Sequence, residues 1–203
     1  MADFTQAKST IISHQAVTNP ASVEGTAVSV AASISGLIIC RHAYVESVDS
    51  TDDTPVFDVM GSVDASGDEG WFKIVSFKCV DTTATIITEA MTATEPTAET
   101  SLACASTTGF NSGDEIYVQD ASVVTDGEWH LIESVVANTS VEIFYGLTTG
   151  KDSADVMWGH AQTFRISLDL SGLSRVNVVY RNEFATGTNT HVLVELLQST
   201  DIE

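Results

Sequence analysis

Phe164-Arg165-Ile166-Ser167-Leu168-Asp169-Leu170 sets an apolar side chain at every second position with a polar one between. That period of two belongs to a strand with one face in a core and the other in water, because successive side chains of extended backbone point to opposite faces. The neighbouring stretches repeat it. Val176, Val178 and Tyr180 alternate with Arg175, Asn177 and Arg181, and Val192, Val194 and Leu196 form the apolar side of a returning strand. Between them, Ala185-Thr186-Gly187-Thr188-Asn189 is a short Gly-containing turn that suits a hairpin.

Working outward, Gly36-Leu37-Ile38-Ile39-Cys40 and Trp71-Phe72-Lys73-Ile74-Val75-Ser76-Phe77 are apolar on both faces, which reads as central strands of a sandwich. Weaker strands are expected near 26–31, 55–60 and 85–89. Thr, Ser and Val are abundant, a composition that favours strands. No window carries a sustained 3.6-residue apolar repeat with caps, so long helices are not expected. The nearest approach to one, 86–98, holds too much Thr.

Two polar runs punctuate the chain. Residues 92–100 contain Pro96 among Thr, Ala and Glu, and 148–154 read Thr-Thr-Gly-Lys-Asp-Ser-Ala, so both look like linkers or long loops. Between them lie three alternating segments, 115–119, 129–136 and 141–145, joined by Asn, Gly and Asp turn chemistry. The expected architecture is therefore all-β: an antiparallel β-sandwich, jelly-roll or Ig-like, built from 21–96 and 153–203, with a small β-barrel-like module inserted at 97–152. One continuous sandwich with a long decorated hairpin is the alternative. Residues 1–20 read as an amino-terminal arm ordered by a neighbour, the alternative being an ordinary first strand.

The 203 residues carry 28 acidic and 8 basic side chains, a formal charge of -20, yet only 18% are charged. The acidity reflects a shortage of Lys and Arg and not acidic tracts. Eight scattered cations cannot form the footprint that displaces counterions from phosphate, which excludes nucleic acid, and anionic membrane fails for the same reason. A basic partner surface is the natural complement; solubility or adaptation to salt is the other reading. The start, Met1 to Lys8, lacks the features of a signal peptide, and no stretch is long and apolar enough for a membrane helix. Cys40, Cys79 and Cys104 have no CxxC spacing and read as small buried hydrophobes of a reducing cytoplasm, with neither a disulfide framework nor a zinc site.

No catalytic signature emerges, so no enzyme activity, catalytic residue, cofactor or metal is assigned. Asp49-Ser50-Thr51-Asp52-Asp53 and Asp64-Ala65-Ser66-Gly67-Asp68-Glu69 are the candidate calcium loops, but neither has EF-hand spacing and solvated turns explain both. His14, His42, His130, His160 and His191 are dispersed without metal-ligand spacing. Trp71, Trp129 and Trp158 with Tyr44, Tyr117 and Tyr145 would serve either as a sugar-stacking platform or, the better use, as core. Asn138-Thr139-Ser140 matches a glycosylation acceptor with no secretion signal to give it force.

The closing stretch, Phe164 to Tyr180, with Gly187-Thr188-Asn189-Thr190-His191-Val192-Leu193-Val194-Glu195-Leu196, resembles β-sandwich proteins of tailed-phage virions. Gly109 to Val118 followed by Glu128-Trp129-His130-Leu131-Ile132 is similar to small β-barrel modules of phage structural proteins. The resemblance implies a virion structural role: a capsid decoration (cement) subunit, made in the host cytoplasm and docked on the major capsid protein or another shell protein, as a homotrimer. A tail or connector component, or a sandwich that binds a glycan or host surface, remains the alternative.

Overall fold

The computed structural model describes residues 4–18, 21–44, 54–79, 87–159, 161–183 and 189–201. The alternating segments do form strands, and the fold is an all-β antiparallel sandwich with an inserted, curled β module. One sheet holds β1 (Phe4–Thr18), β15 (Asn189–Asp201), β4 (Ser33–Tyr44) and β13 (Ala161–Asp169), in that order. The other holds β2 (Ser22–Glu24), β14 (Arg175–Arg181), β5 (Val56–Ser62) and β6 (Trp71–Lys78), with the short β3 (Val28–Ser29) also on β14. Counting only these eight main strands along the chain, the sheets run 1-8-3-6 and 2-7-4-5. That double crossover is jelly-roll topology, which resolves the choice between jelly-roll and Ig-like.

The period-two residues build the shared core. Leu168 and Leu170 on the β13 side, Val176, Val178 and Tyr180 on β14, and Val192, Val194 and Leu196 on β15 are buried together with Ile38, Cys40, Phe57 and Val59. Phe164 and Ile166 pack against them, as the opening alternation requires. The Tyr180 hydroxyl, unable to reach water, pairs with Thr190 Oγ1 at 2.7 Å.

Two expectations need correction. Within the expected arm, Phe4–Thr18 is instead β1, an integral strand paired antiparallel with β15 from Phe4↔Asp201 to Thr18↔Asn189. Its apolar residues Ile11, Ile12 and Val17 enter the core despite a polar average, because two register shifts between Thr10 and Gln15 let adjacent Ile11 and Ile12 both turn inward. Next, β6 is an edge strand, not a central one. Ile74, Val75 and Phe77 touch the core, but Phe72 remains 45% exposed and Trp71 is covered from outside by the Arg175 guanidinium, 4.8 Å from the ring centroid. Composition alone does not separate an edge strand from a buried one.

The third sheet is six-stranded: β7 (Thr88–Ala90), β12 (Val156–Trp158), β9 (Glu115–Gln119), β10 (Glu128–Val136), β11 (Ser140–Ile143) and β8 (Ser101–Ala103). It curls until its two ends meet at the Met91↔Cys104 bridge, around a core of its own that includes Leu102, Ile116, Val118, Ile132, Val141, Ile143 and Met157. The sheet thus draws strands from both sides of 97–152. The two polar runs expected to be linkers are paired with each other: Glu95 and Lys151 exchange both backbone hydrogen bonds at 2.8 Å, and both residues are buried. Where Gly146 passes Ala98, a Cβ would lie 2.4 Å from the Ala98 carbonyl oxygen, so glycine is required for that closure.

Phe57 is fully buried among Tyr180, His42 and Phe164. Replacing it by Ala should destabilise the protein by about 3–5 kcal/mol. Urea unfolding followed by circular dichroism measures this; a loss under about 1 kcal/mol would contradict a single core shared by both sheets.

Candidate functional site

The inserted module lies against the outer face of the β1-β15-β4-β13 sheet. Residues 38, 40 and 44 of β4 point into the sandwich, so Arg41 and Ala43 point out of it, and Ala43 packs beside Tyr117, Trp129, Trp158 and Ala161. His191, the cross-strand partner of Ala43, also faces the module. His14 joins it from β1, where the register shift between Ile12 and Gln15 re-aims the side chain.

Tyr117 is the hub. Its hydroxyl is 2.7 Å from His191 Nδ1 and 3.0 Å from His14 Nε2. The Nδ1 of His14 faces the Thr125 carbonyl at 3.1 Å, which can only accept, so that nitrogen carries the proton. Nε2 of neutral His14 can then only accept, so the Tyr117 hydroxyl donates to it and accepts from Nδ1–H of His191, and every contact has its proton. Trp129 Nε1 donates to the His42 carbonyl at 3.1 Å and its ring lies 4.6 Å from that of Tyr117. Gly127 makes the arrangement possible, because a Cβ there would sit 2.0 Å from the Tyr117 hydroxyl.

Burial governs the titration of this cluster. It lowers His191 to about 4, with the nearby His14 adding to the effect, and lowers His42 to about 3, with His191 adding. His14 is also lowered by burial, against the opposing pull of the Thr125 carbonyl and Asp126. Burial raises the Tyr117 phenol well above its usual value. His42 sits inside the sandwich 4.5 Å from the Tyr44 ring, and neither of its nitrogens has a hydrogen-bond partner among the described residues.

Beside this contact a groove of about 610 Å³ opens between sheet and module. Lys8, Arg41 and Arg165 reach it from the sheet, and Trp129, Tyr145 and Glu115 from the module. Glu195 bridges Lys8 and Arg41, the latter at 2.7 Å, while Arg165 meets Glu115 only at 3.8 Å. At the rim, Glu128 accepts from Lys151 Nζ at 3.0 Å and from the Thr148 and Thr149 amides at 2.8 and 2.9 Å. Burial alone would raise its carboxyl, but His130 and the hydrogen bonds from Thr148 and Thr149 hold it well below the usual range. Tyr145 is 83% exposed and stands next to Leu131 and Phe144, both also exposed.

The other candidates disperse. Asp49–Asp53 and His160 lie outside the described residues. Asp64–Glu69 forms an exposed turn held by Arg175, which donates to the Asp64 and Gly67 carbonyls at 2.8 and 2.7 Å. Among the described residues no group of three or more His, Cys, Asp or Glu side chains could hold a metal ion. The three cysteines are buried free thiols, and burial pushes Cys40 up to about 12. Of the six aromatic residues considered for stacking, Tyr44 and Tyr117 are fully buried, Trp129 and Trp158 are half-buried in the seam, and Tyr145 is open. Neither the histidine–tyrosine contact nor the cation-lined groove has a local spacing signal, because the strands that supply them meet only through the sheet.

No sequence-family profile matches the chain, and no curated protein does. Among solved structures it is similar to the SPBc2 prophage-derived protein YomS, at 12% identity over 98% of this chain and 97% of that one, TM-score 0.33. It is also similar to infectious bursal disease virus VP2 in a subviral particle, at 12% identity over 98% of this chain and 42% of that one, TM-score 0.26.

Two outcomes follow from the buried contact. Tyr117→Phe should cost about 1–3 kcal/mol in denaturant, since it leaves His191 and His14 without the shared hydroxyl; an unchanged midpoint would mean that the bond contributes nothing. For pH, a histidine held below its unfolded value near 6.5 makes the unfolded chain the better proton acceptor. Stability is therefore full above about pH 6.5 and falls as pH drops towards about 4 for His191 and about 3 for His42. Thermal melts from pH 7 to 4.5 should show this decline, and His42→Leu should flatten it.

Proposed function

We propose that this chain is a non-enzymatic structural subunit of a phage virion that docks on the capsid shell as a decoration, or cement, protein. The observation that carries the reading is how its few cations are used. Lys8, Arg41, Lys73, Lys151, Arg165 and Arg181 each pair with a carboxylate of the same chain. The net charge of -20 is thereby left to the exterior. The apolar cluster of Leu131, Phe144 and Tyr145 breaks that exterior at the module. An acidic surface around an exposed apolar contact suits a shell protein that offers a basic rim around an apolar seat, since complementary potentials steer the encounter and apolar burial holds it. The jelly-roll sandwich supports the same reading, being an architecture of viral capsid domains.

Docking to the major capsid protein, self-association as a trimer, synthesis in the host cytoplasm and residence in the virion belong to this proposal. A tail or connector position uses the same surface chemistry. Jelly rolls also build lectins, which keeps a glycan-binding role as the second reading, favoured by the groove beside Tyr145.

The test uses shells assembled from the major capsid protein of the same genome. Phe144→Asp should weaken binding at least tenfold without changing the melting temperature. Raising salt should weaken docking to a basic partner while strengthening self-association, because screening acts on attraction and on self-repulsion alike. Full-strength binding by Phe144→Asp, or a chain that ignores shells at every ionic strength, would overturn the proposal.

A further inference from the structure

The groove between sheet and module gathers Lys8, Arg41 and Arg165, three of the eight basic residues of a strongly acidic chain. Their placement follows from the pleat. Arg41 on β4 faces outward, its neighbour across β13 is Thr163, and Arg165 lies two residues further along the same outer row. Lys8 reaches the row from β1 through Glu195. The three are not equally committed. Glu195 is shared between Lys8 and Arg41, whereas the Arg165 side chain is 57% exposed and its single ion-pair contact among the described residues is the loose one to Glu115 at 3.8 Å. A guanidinium in that state can present its planar donor fork to an incoming carboxylate.

The opposite wall differs in kind. Tyr145 and Trp129 supply aromatic surface, and Glu115 and Glu128 supply acceptors. The buried Oε2 of Glu115 has no hydrogen-bond partner among the described residues. Buried polar atoms left in this state are rare in folded proteins.

The geometry points to an acidic saccharide, a chain bearing uronate or sialate groups, as the ligand of this groove. Each feature has a counterpart in such a molecule. The sugar carboxylate meets Arg165, the C–H face of the ring lies on Tyr145, and the hydroxyls, which both donate and accept, serve the glutamates and the cations. An acidic peptide is the poorer fit, because its side chains bring further negative charge against Glu115 and Glu128 and no hydroxyl donors. The volume of about 610 Å³ is within the range that holds small ligands. The site shares Tyr145 with the proposed docking cluster, whereas Phe144 does not line the groove and so separates the two readings.

Titration calorimetry on the full chain, with tri-galacturonate, 3′-sialyllactose, neutral maltotriose and a hexaglutamate peptide as probes, decides the matter. At least one acidic sugar should bind saturably and at least tenfold more tightly than maltotriose. Arg165→Gln should weaken that binding about tenfold and Tyr145→Ala at least fivefold. Both side chains are exposed, so their melting temperatures should match the parent, and Phe144→Asp should bind sugar normally even if it no longer docks on shells. The inference is overturned if neither acidic sugar binds, if both substitutions leave binding unchanged, or if hexaglutamate binds as tightly as the sugars.

Discussion

One end of the β1-β15-β4-β13 sheet is covered on both faces, and most of the architecture depends on that. Tyr44 and Thr190 look into the sandwich while their neighbours Ala43 and His191 look into the module. Backbone and side chains there are buried, so a polar group left without a partner inside the protein is costly. Tyr117 with its two histidines, and Trp129 with the His42 carbonyl, are those partners. They turn what would be a tethered insertion into a fixed one. The groove exists because the module is held at this end of the sheet and stands away from it towards Arg165.

The same double covering explains the titration behaviour. A histidine at the surface of a sandwich would be an ordinary protonatable group; beneath the module it is held neutral by loss of solvent. Acid thus acts first on the joint between the two parts, before the carboxylates Asp58 and Glu128, both held below their usual range, begin to take up protons. The acid-sensitive elements are His191 in the seam and His42 just behind it in the sandwich, while the module's own core is apolar.

How much of this was legible depended on element length. Strands long enough to show several alternations, such as 164–170 and 175–181, could be read directly, and β9 at Glu115–Gln119 has the bounds that its alternation implies. The three-residue strands β7, β8 and β12 hold too few residues to display any period, so the full extent of the module was hidden in polar sequence. Glu95 and Lys151 looked like loop residues because charge normally marks exposure; pairing across the module buries them instead. β1 was concealed by its register shifts, which break the period just where Ile11 and Ile12 enter the core. The cations of the groove sit on strands that are distant in sequence, and only topology brings them together.

The jelly-roll order has a kinetic side. β1 finds its ladder on β15, so Phe4 must wait for Asp201 before the first sheet can close. During synthesis the module, whose strands pair only among themselves between Thr88 and Trp158, has every contact of its own barrel available long before then. Non-local pairing of this kind folds slowly, since the entropy of closing a long loop is lost before the contacts that reward it can form. A nascent chain therefore carries an unpaired fifteen-residue strand past a finished inner barrel, and that exposed edge is where chaperone capture or strand exchange between neighbouring copies would begin.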